Sequence, residues 1–226
     1  MYKYETHLHT SPVSECALAS VEEQLAFYKE LGYDGVFITN HFLDGNINID
    51  KGKSYEEKLD FYCSDYEKGV ELGKKIGIKV FFGVELAYKG TDFLVYGLDK
   101  EWFLAHPEIM DMTKRQELKF MMENGALVIQ AHPYRESSYI DHIRLFPRSV
   151  HGIEILNASR PQAENDMAKL YAEHYGLLML AGSDNHVGAR QKKMAGVYTQ
   201  SPIDSVQDFI NMVKSRQTEI FTFTNQ

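Results

Sequence analysis

An alternation constrains this chain more than any other feature. Short continuous apolar runs recur along it: Gly35-Val36-Phe37-Ile38, Val80-Phe81-Phe82-Gly83-Val84, Leu127-Val128-Ile129, Gly152-Ile153-Glu154-Ile155-Leu156 and Leu177-Leu178-Met179-Leu180. Between most of them lie stretches with apolar residues at helical spacing. A strand that is apolar on both faces is buried on both, as happens when helices cover a parallel sheet. Ser20 and Glu23 form a capping box before Leu25, Tyr28 and Leu31, and Tyr55, Leu59, Tyr62, Tyr66 and Val70 make a core stripe closed near Gly77. Further helices are expected from Met110 to Asn124, from Pro161 to Tyr175 and near Ser205 to Ser215, with a last short strand at Val197 to Thr199. Asp92 to Tyr96 is expected to pair with the strand before it. About seven core strands alternating with helices predict an α/β fold, either a closed barrel or an open doubly wound sheet. The 226 residues, 44% of them hydrophobic and without a linker-like stretch, fit a single domain spanning 1–226.

The residues that end these apolar runs carry the chemistry. His7 and His9 end the first strand, His41 lies just past the second, Glu85 sits in the third, His132 comes after the strand at 126–131, and Asp184 and His186 come after the one at 177–181. His7 and His9, two apart in an extended segment, point their rings to the same side, because strand side chains alternate with period 2. In a parallel α/β barrel the strand ends converge on one mouth, so residues distant in sequence meet there. Any one of these residues has an ordinary reading as a cap or turn residue. Together, five strand-end histidines plus two carboxylates exceed what one tetrahedral zinc needs, and Glu85 has two oxygens with which to bridge. A mixed nitrogen and oxygen set suits zinc, manganese or iron better than magnesium.

The ordered motifs His7-Leu8-His9-Thr10, Ile38-Thr39-Asn40-His41, Gly83-Val84-Glu85, Ala131-His132-Pro133 and Gly182-Ser183-Asp184-Asn185-His186 resemble those of the PHP (polymerase and histidinol phosphatase) family. The resemblance implies a distorted (β/α)7 barrel with parallel core strands, holding two or three divalent metal ions that hydrolyse phosphoesters. It implies one metal on His7, His9, Glu85 and Asp184, and a second sharing Glu85 and taking His132. A third would use His41, His186 and Glu15. The chain departs from the family pattern at Asn40, where an Asp is usual, and on the hairpin strand, where Asp92 stands in for a histidine. His41 and His186 are candidates for proton donation to the leaving group. Arg160 and Arg190, like Arg135, closely follow strand ends and are candidates for binding phosphate. Glu154 is expected to orient a histidine from behind.

The expected reaction is hydrolysis of a small phosphomonoester, as in histidinol phosphatase, with a phosphodiesterase of short nucleotides or a non-catalytic metal-binding domain as alternatives. A net charge of −8 argues against long duplex nucleic acid as a partner. Two cysteines, Cys16 and Cys63, make no disulfide framework, no leader is visible, and no apolar run is long enough for a membrane. A cytoplasmic location is the expectation.

Overall fold

The computed structural model describes residues 1–225. Its strands are β1 (Tyr2–Leu8), β2 (Gly35–Ile38), β3 (Lys79–Tyr88), β4 (Thr91–Tyr96), β5 (Leu127–Ala131), β6 (Gly152–Asn157), β7 (Leu178–Gly182), β8 (Lys193–Thr199) and β9 (Thr218–Thr224). The helices are α1 (Val21–Glu30), α2 (Tyr55–Ile76), α3 (Lys100–Ala105), α4 (Lys114–Glu123), α5 (Gln162–Tyr175) and α6 (Val206–Lys214). Ser20 and Glu23 cap α1 reciprocally, as do Ser54 and Glu57 on α2. Gly77 ends α2 with a left-handed φ of 73°, which L side chains adopt only under strain.

The strands form one sheet in the order β7-β6-β5-β4-β3-β2-β1-β8-β9. The β7 end of this order comes back onto β1 and β8. Asp184 N–H donates to the His7 carbonyl at 2.9 Å, Leu8 bridges Asn185 in parallel, and Ala195 N–H donates to Ser183 Oγ at 2.9 Å. The result is a nearly closed, barrel-like sheet. Gly182 allows this closure, because a Cβ there would lie 2.5 Å from His7 Cβ.

The expectation of parallel core strands holds only in part. β1–β2–β3 and β5–β6–β7 are parallel, but β4 is antiparallel to both neighbours and β8 to both of its own. The cause at β4 is local. Lys89 and Gly90 join β3 to β4 with φ of 51° and 82°, a two-residue turn with both centres left-handed, which only antiparallel strands can use. Two further departures concern the helices and the last strand. The helix expected over 110–124 is broken: a 3-10 turn covers Pro107–Asp111, and Thr113 caps a fresh start at α4. β9, where no strand was expected, pairs along the whole of β8.

The end opposite the ligand-bearing loops is filled. Phe209 of α6 lies 4.4 Å from the Phe37 ring and 5.1 Å from Tyr96 between centroids, and all three are fully buried. Aromatic packing of this kind, worth about 3–5 kcal/mol per Phe lost to Ala, leaves the other end as the open mouth. No helix among the described residues is long and apolar enough to cross a membrane.

Candidate metal centre

β1 delivers His7 and His9 to a common point, their Nε2 atoms 3.1 Å apart. Each ring is fixed from behind. His7 Nδ1 is 2.9 Å from Glu154 Oε1. His9 Nδ1 is 3.1 Å from Ser14 Oγ, whose own proton goes to Asn40 Oδ1 at 2.8 Å. Since Ser14 Oγ has donated, it accepts from His9 Nδ1–H, and the His9 Nε2 that faces His7 is a bare lone pair. Two carboxylates close on the same point. Glu85 Oε1 is 3.1 Å from His7 Nε2, Glu85 Oε2 is 3.3 Å from His9 Nε2, and Asp184 Oδ1 is 3.4 and 3.3 Å from the two. So dense a set of electron-rich atoms requires positive charge among them, as a proton or as a metal ion.

The remaining ligands flank this point. His132 Nε2 is 3.3 Å from Glu85 Oε1 and 3.8 Å from Asp92 Oδ2. Asp92 reaches the mouth because β4 runs antiparallel, so its first residues, not its last, lie beside the end of β5. On the other flank His41 Nδ1 is 2.8 Å from Glu85 Oε2, and the His186 ring stacks on His9 with centroids 4.0 Å apart. Both oxygens of the buried Glu85, and the His41 Nδ1 that faces it, nevertheless have no hydrogen-bond partner. Atoms this close but not aligned as donor and acceptor are arranged as ligands are about a cation. Three groups bring their ligand atoms within 4.8 Å of one another: His7, His9 and Asp184; His7, Glu85 and His132; and His9, His41 and His186. The residues therefore fit the divalent ions that the sequence motifs imply.

The protonation pattern follows the same charges. Burial would push the His7 imidazolium down, but Asp184, Glu154 and Glu85 hold it well above its ordinary value. His9 goes the other way, lowered to about 4 by burial and by His186 and His41. Glu85 and Asp184 lie well below the carboxylate range, because surrounding histidines, His7 foremost, outweigh burial. Against burial, Glu85 raises His41 and Asp184 raises His186. Burial and the neighbouring Glu85 push Asp92 up to about 6, in spite of His132 and Arg135.

The scaffold behind these ligands is dense. Glu154 Oε2 accepts from His132 N–H at 3.0 Å and from Asn157 Nδ2 at 2.9 Å, and Asn157 also donates to Asp184 Oδ2 at 3.1 Å. One carboxylate thus ties together ligands from β1, β5 and β7. His132 and Asp184 both have left-handed backbones, with φ of 25° and 52°. Such strain costs on the order of 1–3 kcal/mol per residue and persists where the surroundings enforce it. Asn40, the departure from the family motif, is a strut: its Oδ1 accepts from Thr10 N–H at 2.7 Å and its Nδ2 donates to Thr10 Oγ1 at 2.8 Å.

Two sequence candidates lie elsewhere. Glu15 is exposed, its amide turned to the Asn46 carbonyl, and it does not reach the cluster. Ser14 is held inward by Asn40 and by the His41 amide, so the next side chain points out and Cys16 turns back in. Arg190 is exposed on the 3-10 turn Gly188–Arg190 and does not line the cavity, because the preceding loop folds onto Asn185 Oδ1. Arg160 and Arg135 do line it, a volume of about 540 Å³ with Glu85, Asp184, His132 and His186 at its base. Arg160 is held by Glu164 at 2.7 Å and Arg135 by Asp92 at 2.8 Å. Cys16 is a site residue that no sequence motif marks. Burial acts to raise its thiol, but the neighbouring His186 and His41 rings bring it down to about 6.

A family model described as PHP-associated matches residues 162–218, from α5 into β9. No curated protein matches the chain. Among solved structures, it is similar to a two-domain protein from Bacteroides vulgatus described as containing a predicted PHP-like metal-dependent phosphoesterase. That match has a TM-score of 0.69 and 16% identity, and covers 97% of this chain but 64% of the other. A structure from Bifidobacterium adolescentis, also described as a metal-dependent phosphoesterase, matches at TM-score 0.57 and 11% identity, covering 96% of this chain and 97% of that one. An amidohydrolase from Chromobacterium violaceum with bound sulfate matches at 0.57 and 12%, covering 97% of each. These likenesses establish the shared barrel-like fold, and the family match adds to the ordered motifs in supporting membership of the PHP family.

Proposed function

We propose that this chain hydrolyses small phosphomonoesters with the help of two or three divalent metal ions, in the manner expected of a histidinol-phosphatase-like member of the PHP family. One observation carries the reading: three ligand groups, linked to one another through His7 and His9, include Glu85, His132, Asp184 and His186, which line a cavity of about 540 Å³. That volume suits a small molecule. When bound, such ions bring the pKa of a coordinated water toward neutrality and offset charge on phosphoryl oxygens. His7, His9, Glu85 and Asp184 would hold one ion, Glu85 and His132 a second, with Asp92 beside His132, and His41 with His186 a third. The arginines act at the rim. Arg135 and Arg160 keep N–H groups beyond those spent on Asp92 and Glu164, and these can bind non-reacting phosphate oxygens. Where only two ions are bound and His186 is not a ligand, its side chain, partly open to the cavity, is the better placed of the two histidines to give a proton to the leaving oxygen.

The amidohydrolase-like neighbour raises a different hydrolysis on a similar scaffold. A metal-bridging lysine, the expectation for that chemistry, is not among the cavity-lining residues. The test is a chain stripped of metal, reloaded with manganese or zinc, and offered p-nitrophenyl phosphate, bis(p-nitrophenyl) phosphate and an aryl amide. Turnover of the monoester supports the proposal. Turnover of the diester alone transfers it to nucleotide-like diesters, and turnover of the amide alone overturns it.

A further inference from the structure

One ring on the cavity wall takes no part in holding metal. The segment joining β5 to β6 has neither helix nor strand, yet it is pinned on both sides. Arg160 Nη2 donates to the Glu136 carbonyl at 3.2 Å, and Arg144 Nη1 donates to the Lys89 carbonyl at 2.8 Å. Ile140 packs so closely over Gly90 that a Cβ there would lie 2.7 Å from Ile140 Cγ1. Within this segment Tyr134 packs with Tyr171 against the core. Tyr139 is instead 64% exposed and lines the cavity, the only phenol or phenyl ring to do so among the described residues. Its hydroxyl accepts from Arg135 Nη2. The same guanidinium, held by Asp92 at 2.8 Å, lies 5.6 Å from the Tyr139 ring centroid. The ring is thus fixed by its polar tip while its face stays uncovered, beside an arginine able to bind phosphate.

We infer that Tyr139 is a specificity-determining residue: it stacks on a flat, unsaturated organic group of the bound phosphoester and so favours aryl and heteroaryl esters over aliphatic ones. The inference rests on the phosphomonoester reading above and deepens it by substrate class. With the phosphoryl group at the metal ligands and Arg135 on its oxygens, the organic part of the ester extends away from the buried base. On the Arg135 side, Tyr139, Ala87 and Gly90 give the cavity its apolar surface. Most of the other lining residues carry charge or hydrogen-bonding groups and offer little to an apolar substituent. An aromatic ring is the group best matched to an uncovered aromatic face, because stacking adds to the area buried.

The test uses binding, not turnover. The full chain, reloaded with zinc and titrated by calorimetry with phenylphosphonate and methylphosphonate, is expected to bind the phenyl compound about two- to tenfold more tightly. Tyr139→Ala should remove that preference by weakening the phenyl compound alone, and Tyr139→Phe, which keeps the ring, should retain it. The comparison in the unaltered chain needs no variant, so a poorly folding substitution leaves the inference open to refutation. Equal affinity for the two probes in the unaltered chain, a preference that survives Tyr139→Ala, or one lost in Tyr139→Phe overturns it. A chain that prefers phenylphosphonate through Tyr139 but releases no phosphate from p-nitrophenyl phosphate sinks the phosphoesterase proposal and leaves this one standing. A chain that hydrolyses that ester but binds both phosphonates equally does the reverse.

Discussion

The inner candidate ligands, His7, His9, Glu85 and Asp184, and the outer histidines, His41 and His186, lie side by side but are built differently. Three of the four inner ligands have a dedicated partner behind them: Glu154 for His7, Ser14 for His9, Asn157 for Asp184. The His7 and His9 side chains have no exposure to solvent, and Glu85 has almost none. The outer group is looser. The His186 side chain is 24% exposed, and its Nδ1 meets only the carbonyl and carboxylate of Asp184. A site whose ligands are locked before binding loses less entropy when it binds, so the inner group should fill first and the outer group exchange with solvent.

The sharpest way to break this contrast is Glu85→Gln. Glu85 contacts ligands of both groups, so its loss should raise the barrier by about 4 kcal/mol, on the order of a thousandfold in kcat, and lower the metal content measured by elemental analysis. Metal removal comes next. If the ions bind at a thousandfold excess over Kd, chelation should cost about 4 kcal/mol of stability and lower Tm by roughly 10 °C in scanning calorimetry. Glu154→Gln separates the two groups, because the Glu154 side chain meets His7 but not His41 or His186. It should weaken the tightest metal by about 10- to 100-fold in a calorimetric titration and leave the outer site of His41 and His186 as it was. An equal loss at both sites would mean the scaffold is shared and the contrast false. Asn40→Asp should have the smallest effect. It removes the donor to Thr10 Oγ1 and buries a charge, costing about 1–2 kcal/mol in a denaturant melt despite matching the usual family residue.

How much of this was legible depends on periodicity. His7 and His9 were readable because the strand period of 2 fixes which side chains share a face, and Asp184 and His186 because they come directly after a buried run. Glu154 was readable as a charge inside an apolar strand, which must find a partner. The choice between Glu15 and Cys16 was not, since the loop after β1 has no period and its facing is set by Ser14 bonding to Asn40 and His41, from a distant strand. Arg190 failed for the same reason, turned outward by Asn185. β9 did carry a signal, the β-branched and aromatic run Thr218-Glu219-Ile220-Phe221-Thr222-Phe223-Thr224, but its interrupted alternation hid it.

The sequence by itself determined that buried strands end in histidines and carboxylates, because burial and side-chain alternation act locally along each segment. Tertiary structure alone decided which of these ends meet, which strands run antiparallel and which loop residue faces inward. Those depend on hydrogen bonds between residues far apart in the chain, such as His7 with Glu154 and Asp184 with the His7 carbonyl, and no local pattern encodes them.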